Sequence, residues 1–390
     1  MWTRVFAGSA AGVLAIVALY GANPKGKTPA VVGPKLGIKV PGVQIPFAGV
    51  KADATVPAPE KPTWLFLSGG RAPVAAAPAA DGGATGGRGG GGRGGGGGRG
   101  GAGRAGGGGG GRGAGGGGGG PEAVYFAEAE KLEKIDMTGN KLADPITGLK
   151  KPCGGMVSAF DSIWLPTCGD GALQRMDPKT LKVTASIPAG TGTAKGTIAA
   201  GTDSIWLLTD DKATLSRIDP DQNAVVGQFR LPAGCKDLTF AETSLWITCP
   251  SINKILRINP ATNIVDKRID VSANPIAIVA GQGSIWVLCA KEGKIDRIDP
   301  KTDKVSKTID LAAPIAEGAI AFGEGYIWVT MNGFPLTRVD ITDEKVAQQF
   351  WGEGGGGPIL TSTGAIWLTN LNNGTISRID PKLILATLAE

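Results

Sequence analysis

The stretch GQGSIWVLCAKEGKIDRIDPKTDKV, Gly281 to Val305, decides how the rest of the chain is read, because near copies of it recur along the sequence. Aligned on tryptophan, six copies are plain: Trp164, Trp206, Trp246, Trp286, Trp328 and Trp367, spaced by 42, 40, 40, 42 and 39 residues. The arginine of the following RID-like tripeptide keeps step at 175, 217, 257, 297, 338 and 378, ten or eleven residues after its tryptophan. Two markers in phase imply one supersecondary unit per repeat.

Within a unit, the runs PIAIVAG, SIWVLCA, KIDRIDP and KVSKTIDL are short, β-branched and apolar, and Gly, Asn and Asp-Pro separate them. That is the pattern of strands joined by tight turns. Four strands in a repeat of this length make one propeller blade. Helical periodicity is absent, which excludes helical solenoids of similar repeat length.

A seventh unit is hidden near the start. KPTWLFLSGG (61–70) matches the first strand NPIAIVAGQG (274–283), and AVYFAEAEKLEKID (123–136) matches the second and third, with Tyr125 in the tryptophan place and Lys134 in the arginine place. Residues 71–122 then form an insertion between the first two strands of blade one. Its run GGRGGGGRGGGGGRGG holds no apolar side chain, so it cannot bury a core and reads as disordered. Closing so long a loop costs only about 2 to 3 kcal/mol more than closing a tight turn, because the entropy grows as the logarithm of length. The expected fold is all-β: a seven-bladed β-propeller with four-stranded blades over residues 50–390, carrying a disordered Gly/Arg-rich insertion in blade one. KADATVPAP (51–59) resembles the fourth strand KVTASIPAG (182–190), and the C-terminal KLILATLAE has a similar look. The N-terminal segment is expected to supply the outer strand of blade seven, since joining the chain ends protects an open edge.

Residues 1–22 carry Arg4 and then an apolar run from Val5 to Tyr20, which reads as a signal peptide or an N-terminal anchor, with an extended segment over 23–49. Export places the cysteines in an oxidising compartment, so a periplasmic or secreted location is expected. The net charge is +6, but residues 1–60 and 71–122 each carry six Lys or Arg against two acids, +4 apiece, which leaves −2 for the repeats. The blades therefore have no basic bias. The Arg-Gly run lacks the interleaved aromatics of RNA-binding segments, so no nucleic-acid partner is expected, and a membrane only through the N-terminal anchor.

The pattern G-x-G-x-[IV]-W-[VL] followed by R-[IV]-D-P-x-T-x-K-V resembles the bacterial exported propellers with YncE-like or YVTN-type repeats, and also the seven-bladed virginiamycin B lyase family. The resemblance spans about residues 50–390 and lies in the residues that build blades. The lyase resemblance implies ring-opening elimination on a cyclic depsipeptide, assisted by a histidine and a magnesium ion. This chain contains no histidine, so that motif has no matching residue here. The same lack excludes His-based triads, the usual zinc ligand sets and the commonest general base.

The repeated polar residues have structural explanations. Asp177, Asp219, Asp299, Asp340 and Asp380 sit at the RIDP-like turn, where a carboxylate accepts backbone N–H groups. The recurring arginine is expected to tie neighbouring blades or strands. Repetition of the six tryptophans at the middle of the second strand points to core packing between blades.

Cys235 and Cys249 flank the first hairpin of one blade, and Cys153 and Cys168 that of another. With a turn centred on Glu242, Cys235 faces Cys249, while Cys153 and Cys168 are one residue out of that register. Two disulfides are expected, Cys153–Cys168 and Cys235–Cys249, with Cys289 free. Neither His nor close C-x-x-C spacing supports a metal site, and no cofactor is expected.

These readings favour an exported, non-enzymatic, monomeric propeller that binds a protein, peptide or glycan of the cell envelope. A virginiamycin B lyase-like or other metal- or carboxylate-dependent lyase or hydrolase is the alternative, and a structural envelope component a further one. The loops between second and third strands differ most among the repeats, and function commonly resides on such loops. Asp170, Asp210, Asp211, Asn253, Lys291, Asn332, Phe334 and Asn372 are the candidate ligand contacts.

Overall fold

A computed structural model describes residues 36–40, 42–68, 122–192, 197–210 and 213–386. The expected export signal over 1–22, most of the Gly/Arg-rich stretch and Asp211 lie outside these residues.

Seven antiparallel sheets form a ring, one per repeat. Blade five shows the plan: Pro275–Gly281, Ser284–Cys289, Lys294–Asp299 and Lys304–Asp310 run from the innermost strand outward. The sequence pattern changes with depth in the sheet. The second strand SIWVLC is buried at every position because blades cover both of its faces, whereas the fourth strand KVSKTID is mostly exposed. Blade one completes the ring, with Phe66–Ser68 paired to Ala123–Glu128 in the register Phe66 to Tyr125 and Ser68 to Ala123. Lys134 pairs with Tyr125 as Arg297 pairs with Trp286.

Each junction between blades holds one apolar cluster, and its recurrent member is the tryptophan. Trp206 packs with Leu245 and Ile247 of the next blade, Trp246 with Ile285 and Val287, and Trp367 with Val124 and Phe126 across the closure. Tyr125 takes the same part against Ile163 and Leu165. A side chain placed mid-strand on one blade thus fills the groove beside the second strand of its neighbour. Trp164, Trp246, Trp286 and Trp328 donate the indole N–H to the backbone carbonyl five residues earlier, and Trp367 donates to Ser362 Oγ.

Arg175, Arg217, Arg257 and Arg297 each lie over the tryptophan of their own blade and reach the next one, while Arg338 lies over Tyr326 and bonds Gln348 within its blade. Arg257 lies 5.1 Å from the Trp246 ring centroid, donates Nε–H to Ser244 Oγ, and donates Nη1–H to Pro300 O and Asp303 of the following blade. Asp177, Asp219 and Asp340 accept two backbone N–H bonds each at their turns, and Asp299 and Asp380 one each.

The N-terminal strand Ala54–Pro57 is the outer strand of blade seven, antiparallel to Thr375–Ile379, and Arg378 Nη1 donates to Asp53 at 2.5 Å. The C-terminal segment does not compete for that edge. Pro381–Ala386 is a short helix, with Ile384 buried between blades six and seven and its carbonyl accepting from Gln348 Nε2. An unforeseen fifth strand, Gln44–Pro46, runs parallel beside Lys345–Trp351 of blade six.

Both expected disulfides are formed, and Cys289 is free and buried. The register argument for them needs correction. The first hairpins turn on two residues, Glu242–Thr243 in blade four and Phe160–Asp161 in blade two, all with positive φ. Such a turn pairs Thr239 with Trp246 and Val157 with Trp164, which puts Cys153 and Cys168 in the hairpin register and Cys235 and Cys249 one residue off it. The pairing in blade two breaks beyond Val157 and resumes at Pro152 with Thr167, leaving two extra residues on the first strand.

Candidate functional site

The antiparallel order places the turns between second and third strands, together with the blade-to-blade connections, on one face of the ring. The turns between first and second strands, and between third and fourth, lie on the other. The described sequence candidates share the first face, but their side chains differ in what holds them.

Asp170 accepts the Thr167 hydroxyl at 2.6 Å and the Gln174 amide at 3.4 Å. Asp210 accepts both the backbone N–H and the hydroxyl of Thr214 and faces Arg230 at 3.9 Å. Asn253, in the left-handed region at φ 53°, accepts the N–H of Asn274 on the connection to blade five. Asn332 likewise accepts the N–H of Glu317, on the connection entering its own blade. These four side chains brace loops. Lys291 and Asn372 differ: both are exposed, and among the described residues their hydrogen bonds are made by the backbone N–H alone, to Ala273 O and to Asn370 Oδ1 respectively.

Phe334 requires a correction. It is 4% exposed, in the cluster between blades five and six, with Ile38 and Val43 of the N-terminal segment packed on that cluster. The segment is anchored there: Gly37 donates its N–H to Ala312 O, Ile38 donates to Gln349 Oε1, and Gln349 Nε2 donates to Leu311 O. The sequence marked Phe334 as an aromatic at a variable turn; nothing in the repeats shows that residues 36–43 return to cover it.

One residue of this face escaped the sequence reading. Asp237 stands on the first strand of blade four, where the ring narrows, and its carboxylate accepts Leu238 N–H at 3.0 Å and Ile278 N–H of the next blade at 2.9 Å. Removal from water raises its pKa from 3.8 to about 7, against the opposing pull of those bonds. The signal was a charge in KDLTF, where the corresponding strands read IAIVA and GAIAF.

In blade one, Glu128 and Glu133 are buried around Lys131 Nζ, which bonds Glu133. Burial raises the Glu128 carboxyl, and the hydrogen bond to Glu133 raises Lys131. Among the described residues no group of three or more Cys, Asp or Glu side chains is placed to hold a metal ion.

No protein-family model and no curated protein sequence matches the chain. Among solved structures it is similar to BamB from Moraxella catarrhalis, at 10% identity and a TM-score of 0.49 over 66% of this chain and 79% of that one.

Proposed function

We propose that this is an exported, non-enzymatic propeller of the YncE-like kind, which binds a protein, peptide or glycan of the cell envelope on the face bearing Lys291 and Asn372. The observation that carries this reading is how the recurrent chemistry is used. The tryptophans fill the blade junctions, four of the six arginines tie one blade to the next, and the turn aspartates hold their own backbone. What varies from blade to blade is the row of second-to-third-strand turns, and of the candidates described there Lys291 and Asn372 are side chains that brace no loop. Disulfides within two blades support an oxidising compartment and hence export.

The test is a double substitution, Lys291→Ala with Asn372→Ala, followed by affinity capture from an envelope extract of the native host. Truncating two exposed contacts is expected to lower recovery of the wild-type partner about tenfold, with the melting temperature unchanged. Undiminished recovery would place the contact elsewhere.

A further inference from the structure

The opposite face carries a cavity of about 300 Å³ between blades two and three, lined by Asp161, Ser162, Arg175, Asp177, Thr184 and Asn223 among others. Its size is at the lower end of the range for small-molecule sites. Blade three of the same chain shows a carboxylate at the matching place.

In blade three, Arg217 donates Nε–H to Ser204 Oγ at 2.7 Å and Nη2–H to Asp203 at 2.9 Å, and Ser204 Oγ donates to Asp203 at 2.9 Å. The carboxylate thus closes a three-membered set. In blades four, five and seven the matching arginine reaches a carboxylate through Nη1 instead, on Asp303, Glu344 and Asp53, and in blade six Arg338 donates Nε–H to the neutral Gln348 Oε1. Blade two differs from blade three at Nη2. Arg175 donates only to neutral oxygens: Ser162 Oγ at 2.8 Å, Pro220 O at 2.6 Å, Asn223 Oδ1 at 2.9 Å and Phe160 O at 3.4 Å. Asp161 holds the position of Asp203, yet it is exposed and makes no hydrogen bond or ion pair with the described residues. The Ser162 hydroxyl, having accepted from Arg175, has a proton to give and no acceptor among the described residues.

We propose that this cavity binds a small zwitterion of the α-amino-acid class. The ligand carboxylate takes the place in blade two that the Asp203 carboxylate holds in blade three, accepting from Arg175 Nη2 and Ser162 Oγ. Two carboxylates on the rim, Asp161 and Asp177, repel a lone anion and select a ligand whose carboxylate has an ammonium beside it. The site is distinct from the face proposed above, and stands or falls independently of it.

Calorimetric titration of the full chain at pH 7 and low ionic strength tests the proposal with three probes: L-alanine, N-acetyl-L-alanine, which lacks the ammonium, and L-alaninamide, which lacks the carboxylate. L-Alanine is expected to bind saturably at one site, and each of the others about tenfold more weakly. Ser162→Ala should weaken L-alanine about tenfold, and Asp161→Asn should bring L-alanine and N-acetyl-L-alanine to similar affinity. Ser204→Ala, in blade three, should change nothing. Asp161 is exposed, so its variant reads the site without disturbing the fold. Absence of saturable L-alanine binding would overturn the proposal, as would full affinity in Ser162→Ala. So would binding that arises only once Asp161 is replaced, since Asp161 would then fill the place itself.

Discussion

At the scale of single residues, the tryptophans and Asp237 show two ways in which burial acts. Trp286 is 1% exposed and packs with Ile327 and Val329 of the next blade, so truncation to alanine removes an aromatic and leaves a cavity that the rigid strands cannot close. Trp286→Ala is expected to cost about 3 to 5 kcal/mol, read as a lowered denaturant midpoint. An unchanged midpoint would contradict the packing role. Asp237 gives a pH dependence of definite sign. With its carboxyl near 7 in the fold and near 3.8 when unfolded, the folded chain holds the extra proton between those values. Its contribution therefore favours the fold as pH falls from about 7 towards 4, and is lost as pH rises through 7. Asp237→Asn, which mimics the protonated form, should remove this slope, so the melting temperature of the variant should exceed that of the wild type by clearly less at pH 5 than at pH 7.5. Equal separation at both values would contradict it. The tryptophans were legible in the sequence because they repeat, whereas Asp237 occurs once and its environment depends on the neighbouring blade.

At the scale of elements, blades were legible and their attachments were not. The alternation of buried and exposed strands follows from local composition, and so does the two-residue turn, with Gln282–Gly283 at positive φ in blade five. The C-terminal segment shows the limit. KLILATLAE has strand-like residues, yet Asp380 accepts the Lys382 N–H, as an N-terminal cap does, and the chain coils to bury Ile384. Tertiary packing decided it, because the edge it could have joined was already held by Ala54–Pro57. The disulfide pairing was foreseen although the register supporting it was one residue off, since linked cysteines need nearness more than opposition. Alkylation of the unreduced, denatured protein should label one thiol, that of Cys289, whose burial and neighbouring Asp296 raise its pKa. Labelling of four or five thiols would refute both bonds. Each bond closes a loop of about 15 residues and should contribute roughly 3 kcal/mol on the chain-entropy account.

At the scale of the molecule, the ring divides its surface into two faces with different contents. One carries the variable turns with Lys291 and Asn372; the other carries the RID turns and the cavity of blade two. The face of the candidate loops was legible from strand order alone. Which of its side chains are free was not, because the bracing bonds of Asn253 and Asn332 run to residues 21 and 15 positions away, at Asn274 and Glu317. The N-terminal segment likewise covers Phe334 from some 300 residues away in sequence, as in the bond from Ile38 N–H to Gln349 across a separation of 311. The most direct test of the binding reading is site-specific photo-crosslinking in the native host, with a photoreactive residue placed singly at 291, 372, 182 and 304. Positions 291 and 372 lie on the proposed binding face, and 182 and 304 at third-to-fourth-strand turns on the other. The expected result is one adduct of common mass from 291 and 372 and none from 182 and 304. Adducts confined to 182 and 304, or none from any position, would contradict it.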